Sequence, residues 1–312
     1  YSSTYPSIIR TGNNSSNGNW YVVVGSGSTA MPSSGVTGRD IARTRPGYVY
    51  VLDLKTGARK KKISIGHNGI VGDILGIDAD KNYAVEKLYF GTSYYDTANA
   101  IWRGKLMSIA LPVPETTALD DANWASPTVT TMFDGPYPFT ASPDAARDAN
   151  GKVWVYAGSG KYYTDKDEQD TSSQIFMGFN DTDTSKPITE GAVAAGATVT
   201  CTAGQLCDVT HNTTTGDVSS TTKVCAYDGT QFGLQDVVTA VASSATAPTN
   251  SVGWKIYLSS GERSISRPLA VGGLVDFLTY LPSGDVCSYG GNSFLYSVDY
   301  TSGVAPKSVA IR

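Results

Sequence analysis

The feature that most constrains the fold of this 312-residue sequence is a strand-like run that ends in glycine and recurs along the chain. The runs lie at 20–25, 87–91 and 153–158, and their final glycines are 66 and 67 positions apart. Each is followed by a second strand-like run, and such a pair returns at 275–280 and 293–299. Recurring strand-rich units are typical of a β-propeller, because a twisted sheet buries both faces only when neighbouring sheets stack against it.

Two copies of a short tag mark turns within these units. Residues 51–57 read VLDLKTG and residues 297–303 read SVDYTSG, so an aspartate begins each turn and a glycine closes it. The 33 glycines and 14 prolines agree with many turns, and the 19 tyrosines favour strands between them. We therefore predict an all-β fold, a modified β-propeller of four or five blades with long loop insertions, forming one domain over residues 1–312.

A Thr/Ser/Cys-rich segment at about 181–250 interrupts the pattern. We interpret it as a surface insertion pinned by a disulfide, with an independent binding module as the alternative. The four cysteines form an even set that suits an oxidising compartment. We favour pairing Cys201 with Cys207 and Cys225 with Cys287 among the three possible pairings. A zinc site is the alternative, although no C-x-x-C pair supports it.

Charge and hydropathy argue against two classes of partner. The net charge is −4 and 17% of residues are charged, so no basic surface predicts binding to nucleic acid. The longest apolar stretch, 269–281, is interrupted by Gly272, Gly273 and Asp276 and is shorter than the roughly 20 residues that a membrane-spanning helix needs.

The sequence begins with Tyr1 rather than methionine, as we expect of a processed piece of a longer protein.

The clearest candidate site is an acidic stretch in which oxygen donors occupy alternate positions. The donors are the side chains of Asp78, Asp80, Asn82 and Glu86, together with the backbone carbonyl of Ala84. Ca²⁺ takes about six to eight oxygen ligands, and a loop with this spacing turns successive side chains inward. Three carboxylates so close together repel one another unless a cation lies between them. The spacing therefore predicts a calcium loop.

This stretch is not an EF-hand, although it matches the first nine positions of one. Tyr83 stands where the EF-hand loop has an invariant glycine, and Tyr89 stands where it has a glutamate. The alternative is an ordinary acidic turn before the strand that follows. A second and poorer candidate, at 148–151, is interpreted as a plain turn. The sequence contains no H-E-x-x-H, G-x-S-x-G or Walker A motif, so we predict no enzymatic activity.

Two segments resemble a known family. Residues 154–162, followed by Asp167, Asp170 and the run 173–178, resemble the "vwvyfGTGry…D…tsQsfyGi" segment of PilY1-type proteins, the type IV pilus tip adhesins. The segment 261–296 resembles the closing blade of the same family, and the whole resemblance extends from about residue 20 to residue 303.

The resemblance implies a C-terminal modified β-propeller with a nine-residue calcium loop, placed extracellularly at the tip of a pilus after secretion through the periplasm. It implies roles in surface attachment, pilus biogenesis and twitching motility. The expected partners are type IV pilins or minor pilins, together with a surface or host ligand.

The family's calcium loop, D-x-[DN]-x-[DN]-x-x-x-D, is carried over onto five positions of this sequence: Asp78, Asp80, Asn82, Ala84 and Glu86. Glu86 stands where the family has aspartate, and its longer side chain is still expected to reach the ion. Lys81 and Tyr83 stand where the family commonly has glycine.

Two alternative functions follow from the propeller prediction. One is a quinoprotein-like enzyme, since tags similar to those at 51–57 and 297–303 are common in that family. The tryptophan that usually follows such a tag is absent after both copies. The other alternative is a structural propeller fragment that an N-terminal fragment or a partner chain completes.

Overall fold

The computed structural model describes residues 2, 4–12, 19–29, 45–111, 127–181, 188–189, 207–208, 223–225, 231–233, 253–283, 290–301 and 303. Within these residues the regular structure is β-strand apart from a five-residue 3₁₀ helix at Asp165–Gln169. No helix in this part of the chain has the length and apolar character needed to cross a membrane. The contacts divide the chain into two compact units.

Unit 1 comprises Tyr1–Pro143 and Lys161–Asp167. Its strands are β1 (Ser7–Thr11), β2 (Asn19–Gly25), β3 (Pro46–Asp53), β4 (Arg59–Asn68), β5 (Ile70–Ile77), β6 (Lys87–Asp96), β7 (Ile101–Ala110) and β8 (Thr128–Gly135). Strands β1 to β4 form one sheet in chain order, and each strand pairs antiparallel with the next. Strands β5 to β8 are connected in the same way.

The core of unit 1 follows from the alternation of side chains along these strands. Val49 and Val51 of β3 are buried, while Tyr50 between them is half-buried, so one face of the sheet is apolar. This face belongs to the same hydrophobic cluster as Leu88 and Phe90 of β6. Burial of each such side chain contributes about 1.5–3 kcal/mol to folding, so this cluster stabilises the packing of the two sheets.

Unit 2 comprises Asp144–Gly160 and Glu168–Arg312. Its strands are β9 (Asp144–Arg147), β10 (Val153–Gly158), β11 (Ile175–Asn180), β12 (Ile188–Thr189), β13 (Cys207–Asp208), β14 (Lys223–Cys225), β15 (Gln231–Gly233), β16 (Gly253–Tyr257), β17 (Leu269–Val271), β18 (Leu274–Pro282) and β19 (Gly291–Asp299). One sheet has the order β9-β10-β11-β16-β13, in which only β13 is parallel to its neighbour. A second sheet has the order β17-β18-β19, and β14 pairs with β15.

Aromatic rings fill the core of unit 2. The rings of Phe176 and Phe277 stack with their centroids 3.6 Å apart, and Tyr296 stacks on the other side of Phe277 at 4.8 Å. Trp254 packs against Phe176 at 6.0 Å. These rings come from β11, β16, β18 and β19, so they join two sheets of the unit through one cluster.

The recurring glycines mark places where the chain passes too close to a neighbour for any side chain. A Cβ atom added at Gly25, Gly91 or Gly158 would lie less than 3.0 Å from Val71, Phe139 or Ser264, respectively. Gly25 and Gly158 end β2 and β10 as predicted, whereas β6 continues past Gly91 to Asp96. The repeat that the sequence shows is therefore a packing requirement at all three positions and a strand end at two of them.

Both predicted turn tags are confirmed. Asp53 Oδ1 accepts hydrogen bonds from the backbone N–H and the hydroxyl of Thr56, at 2.8 and 2.7 Å. Asp299 Oδ1 accepts the same two bonds from Thr301, at 3.0 and 2.9 Å. The glycine that closes each turn has φ = 70°, which glycine adopts without strain.

The insertion at about 181–250 lies largely outside the described residues, and so do Cys201 and Cys287. Each favoured cysteine pair includes one of these two residues, so the disulfide pairing stays a prediction. The single domain over residues 1–312 and the number of blades also stay predictions.

Candidate metal centre

The predicted calcium loop connects the end of β5 to the start of β6 in unit 1. The structure brings together three of its predicted ligands, because carboxylate oxygens of Asp78, Asp80 and Glu86 lie within 4.8 Å of one another. Asp80 is exposed, and the other two side chains are half-buried. We call residues 78–86 the cation loop.

Hydrogen bonds from the loop's own backbone set its curvature. Asp78 accepts from the N–H groups of Asn82 and Tyr83, at 3.0 and 2.7 Å. Asp80 accepts from the Asn82 N–H at 3.1 Å and from its side-chain amide at 2.9 Å. Asn82 Oδ1 accepts from the Ala84 N–H at 2.7 Å. These bonds are typical of Asx turns, in which short polar side chains bond the backbone a few residues ahead.

Two residues of the cation loop adopt the left-handed backbone region. The φ angles are 65° at Lys81 and 67° at Tyr83. This conformation costs a residue with a Cβ atom about 1–2 kcal/mol, whereas glycine adopts it freely. The side chain of Tyr83 is 73% exposed, so packing does not offset this strain. The strain lies at the two positions where the resembling family commonly has glycine.

Glu86 carries an oxygen that its surroundings do not satisfy. Its Oε2 accepts a hydrogen bond from the Ala79 N–H at 2.6 Å. Its Oε1 is buried and has no hydrogen-bond partner among the described residues. Burial raises the pKa of Glu86, and the neighbouring charges of Asp80 and Asp78 raise that pKa further. A buried, unpaired acceptor costs about 1–3 kcal/mol, which a bound cation would remove.

Arg10 of β1 makes a further contact to the loop that sequence reasoning missed. The Arg10 Nη1 atom donates to the Tyr83 carbonyl at 2.6 Å, and the Arg10 carbonyl accepts from the Val85 N–H at 2.8 Å. Arg10 and Tyr83 are 73 positions apart in the chain, which is why no local motif reveals the contact. The loop is also bonded to the residue that follows β7, because the Leu111 N–H donates to the Glu86 carbonyl at 2.8 Å.

The donor set fits a hard cation. Carboxylate, amide and carbonyl oxygens are the ligands that Ca²⁺ prefers, and the loop presents no sulfur or imidazole ligand that would favour zinc. The unsatisfied Glu86 oxygen agrees with this fit. Asn82 Oδ1 already bonds the Ala84 N–H, so the contributions of Asn82 and the Ala84 carbonyl stay predictions.

The second candidate, at 148–151, is a plain turn as predicted. Asp148 Oδ1 accepts from the N–H groups of Asn150 and Lys152, both at 2.9 Å. Its Oδ2 accepts from the Trp154 indole N–H at 3.1 Å. Both oxygens of this carboxylate are satisfied, in contrast to Glu86.

Comparisons with known proteins agree with the fold. No protein-family model matches the sequence. The chain is 23% identical over 318 residues to the type IV pilus biogenesis factor PilY1 homolog of Xylella fastidiosa (strain Temecula1 / ATCC 700964), a match that covers 93% of this chain and 18% of that protein. It superimposes on the crystal structure of the Pseudomonas aeruginosa PilY1 C-terminal domain with a TM-score of 0.63 and 18% identity. This match covers 98% of this chain and 60% of the solved chain.

The chain thus spans less than a fifth of the curated relative and about three-fifths of the solved domain. The predicted all-β, propeller-type fold class is confirmed by the antiparallel sheets and by this neighbour. The sequence resemblance is confirmed as well, and the chain has the fold of the PilY1 C-terminal domain.

Proposed function

We propose that this chain is a calcium-binding module of a type IV pilus-associated tip adhesin and assembly factor. The pilus role rests on the relative, which is named a type IV pilus biogenesis factor, and on the PilY1 fold. The calcium role rests on one observation above all. Three carboxylates converge in the cation loop, and one oxygen of Glu86 is buried without a hydrogen-bond partner among the described residues.

Electrostatics favours a cation at this position. Carboxylate oxygens no more than 4.8 Å apart repel each other by at least about 1 kcal/mol at the dielectric constant of water and by at least about 3 kcal/mol at an effective value of about 20. A divalent ion between the three carboxylates would attract each of them and so outweigh their mutual repulsion. Ca²⁺ suits the flexible five-donor set better than Mg²⁺, which demands near-ideal octahedral geometry.

Calcium would act here by stabilising a loop. When bound, the ion neutralises the carboxylates and removes the freedom of the segment between β5 and β6. An ion that binds only the folded loop stabilises the fold by mass action, so the calcium concentration would set how rigid this surface is. We propose that this surface contributes to contacts with type IV pilins or minor pilins, or with a surface or host ligand.

The remaining features of the proposal come from the same resemblance. We propose an extracellular location at the pilus tip, a role in surface attachment and twitching motility, and disulfide-bonded cysteines. We propose a binding role rather than a catalytic one.

Calorimetry of the chelator-stripped chain with Ca²⁺ tests the calcium proposal. We expect saturable binding to one site, its loss in Asp78→Asn, and its retention in Asp96→Asn. Asp96 is a suitable control because its carboxylate also accepts from turn N–H groups, those of Ala98 and Asn99, but lies outside the cation loop. Unaltered binding in Asp78→Asn, or no binding by the wild-type chain, would refute the calcium site.

A chimera tests the pilus proposal. This chain would replace the matching segment of the Xylella fastidiosa PilY1 homolog, and twitching would be measured on agar with and without added Ca²⁺. We expect twitching with the wild-type segment and its reduction with Asp78→Asn. Loss of twitching in the wild-type chimera, with the chimera exported and folded, would contradict the pilus role.

A further inference from the structure

The N-terminal strand β1 is the edge strand of its sheet, and the cation loop lies along it. Strand β1 pairs with β2 on one side. On the other side, its Arg10 carbonyl accepts the Val85 N–H and its Arg10 guanidinium donates to the Tyr83 carbonyl. The loop therefore takes the place that a further strand would have beside β1.

Packing joins the same elements. Ile9 of β1 is buried in the core cluster against which Val85 packs. A Cβ atom added at Gly76 of β5 would lie 2.9 Å from Ile9 and 3.2 Å from Val85, so these three chain segments are in close contact. A shift of β1 would therefore displace the end of the cation loop, and the reverse also holds.

Arg10 holds both peptide groups that flank Ala84. Its side chain bonds the carbonyl of the Tyr83–Ala84 peptide, and its own carbonyl bonds the N–H of the Ala84–Val85 peptide. A trans peptide is planar, with its carbonyl and N–H pointing in opposite directions. Fixing the Val85 N–H toward β1 therefore fixes the Ala84 carbonyl, the predicted backbone ligand, away from β1.

We propose that Arg10 is a positioning residue for the cation loop, and that cation binding and the docking of β1 are coupled through it. This inference rests on the proposed calcium function. Coupling of this kind is reciprocal: if a docked β1 strengthens cation binding, a bound cation strengthens the docking of β1 by the same factor. Loss of the cation would then loosen the edge strand of the first sheet.

The affinity of Arg10 variants separates positioning from simple charge. Removing a positive charge near three carboxylates would strengthen Ca²⁺ binding if Arg10 acted only through its charge. Losing a positioning hydrogen bond would weaken binding instead. By calorimetry we expect Arg10→Met to bind Ca²⁺ about 5-fold more weakly than the wild-type chain, the equivalent of one hydrogen bond of about 1 kcal/mol. Arg10→Lys, which keeps a donor, should recover part of the loss.

Hydrogen exchange measures the other half of the coupling. In the wild-type chain we expect Ca²⁺ to slow exchange of the Ser7–Thr11 amides about 5-fold or more, and to leave β10 and β11 of unit 2 unchanged. In Arg10→Met the effect on β1 should be largely lost. Exchange in β8 of unit 1 that matches the wild-type chain verifies that the unit around Arg10 is folded in the variant.

The outcomes distinguish this inference from the proposed function. A wild-type chain that binds no Ca²⁺ would overturn both. Wild-type binding combined with equal or tighter binding by Arg10→Met would overturn the positioning role of Arg10 and leave the calcium site in place. Calcium binding without any change in β1 exchange would overturn the coupling.

Discussion

Glu86→Gln should be more stable than the wild-type chain without Ca²⁺ and less stable than the wild-type chain with Ca²⁺. Burial raises the pKa of Glu86, and the charges of Asp80 and Asp78 raise it further. Because Asp80 is exposed, we take the repulsion at the dielectric constant of water, about 1 kcal/mol for each pair of carboxylates. Glu86 forms one such pair with Asp78 and one with Asp80, so the total repulsion is about 2 kcal/mol. Without Ca²⁺ at pH 7, Glu86→Gln should therefore be about 2 kcal/mol more stable than the wild-type chain.

With Ca²⁺ the order should invert. At a free concentration of 1,000 times Kd, ligand binding stabilises the wild-type chain by about 4.1 kcal/mol. Glu86→Gln loses one carboxylate ligand, and if it binds no Ca²⁺ at all, Ca²⁺ adds nothing to its stability. The wild-type chain should then exceed the variant by about 2 kcal/mol. The isosteric amide still accepts the Ala79 N–H, so the loop keeps this backbone bond.

Thermal unfolding followed by circular dichroism, in EDTA and in excess Ca²⁺, measures both differences. A stability change of 2 kcal/mol corresponds to about 4–8 °C for units of this size. Asp96→Asn serves as the control and should respond to Ca²⁺ as the wild-type chain does. The reasoning fails if Glu86→Gln is less stable than the wild-type chain in EDTA, or if Ca²⁺ stabilises both chains equally.

Three further outcomes follow from individual residues. Because the pKa of Glu86 is raised in the folded state, the folded chain binds more protons, so calcium-free stability should fall as pH rises above the ordinary glutamate pKa. Urea titrations from pH 4 to pH 7 would show this slope, and Glu86→Gln should flatten it. Tyr83→Gly should change the free energy of unfolding in EDTA by no more than about 1 kcal/mol. The relief of left-handed strain at this position offsets the greater entropy that glycine gives the unfolded chain. A larger loss of stability in urea unfolding would contradict the strain. Gly91→Ala should destabilise the fold by about 1–3 kcal/mol because its Cβ would clash with Phe139. Gly57→Ala meets no atom within 4 Å, so it should cost only about 1 kcal/mol for its left-handed backbone. Equal effects of the two variants in urea unfolding would contradict the packing argument.

The sequence was sufficient for the features that depend on neighbouring residues. Alternating side chains gave the strands, and both D…G tags form the turns that their residues favour. The carboxylates of the cation loop could be found because all of them lie within nine positions of one another. Local chemistry determines such a loop, so a spacing argument reaches it.

Features that depend on distant contacts were not accessible in this way. The repeat of glycines suggested strand ends, but only the structure shows that Gly25, Gly91 and Gly158 each face a neighbour too close for a side chain. The contact of Arg10 with the cation loop joins positions 73 apart. No periodicity or motif encodes such a contact, because it arises when the first sheet packs on the second.

Within the cation loop, several unfavourable features coincide. Two residues with side chains are held in the left-handed region, three carboxylates converge, and a buried oxygen of Glu86 lacks a partner. Each of these features destabilises the loop when no cation is bound. In the other acidic turn, both carboxylate oxygens of Asp148 accept hydrogen bonds, so no oxygen there is left without a partner. Strain and unsatisfied charge that coincide in one loop point to a function there. A divalent cation removes two of the three penalties at once, which is the physical reason to place the binding activity of this chain at this loop.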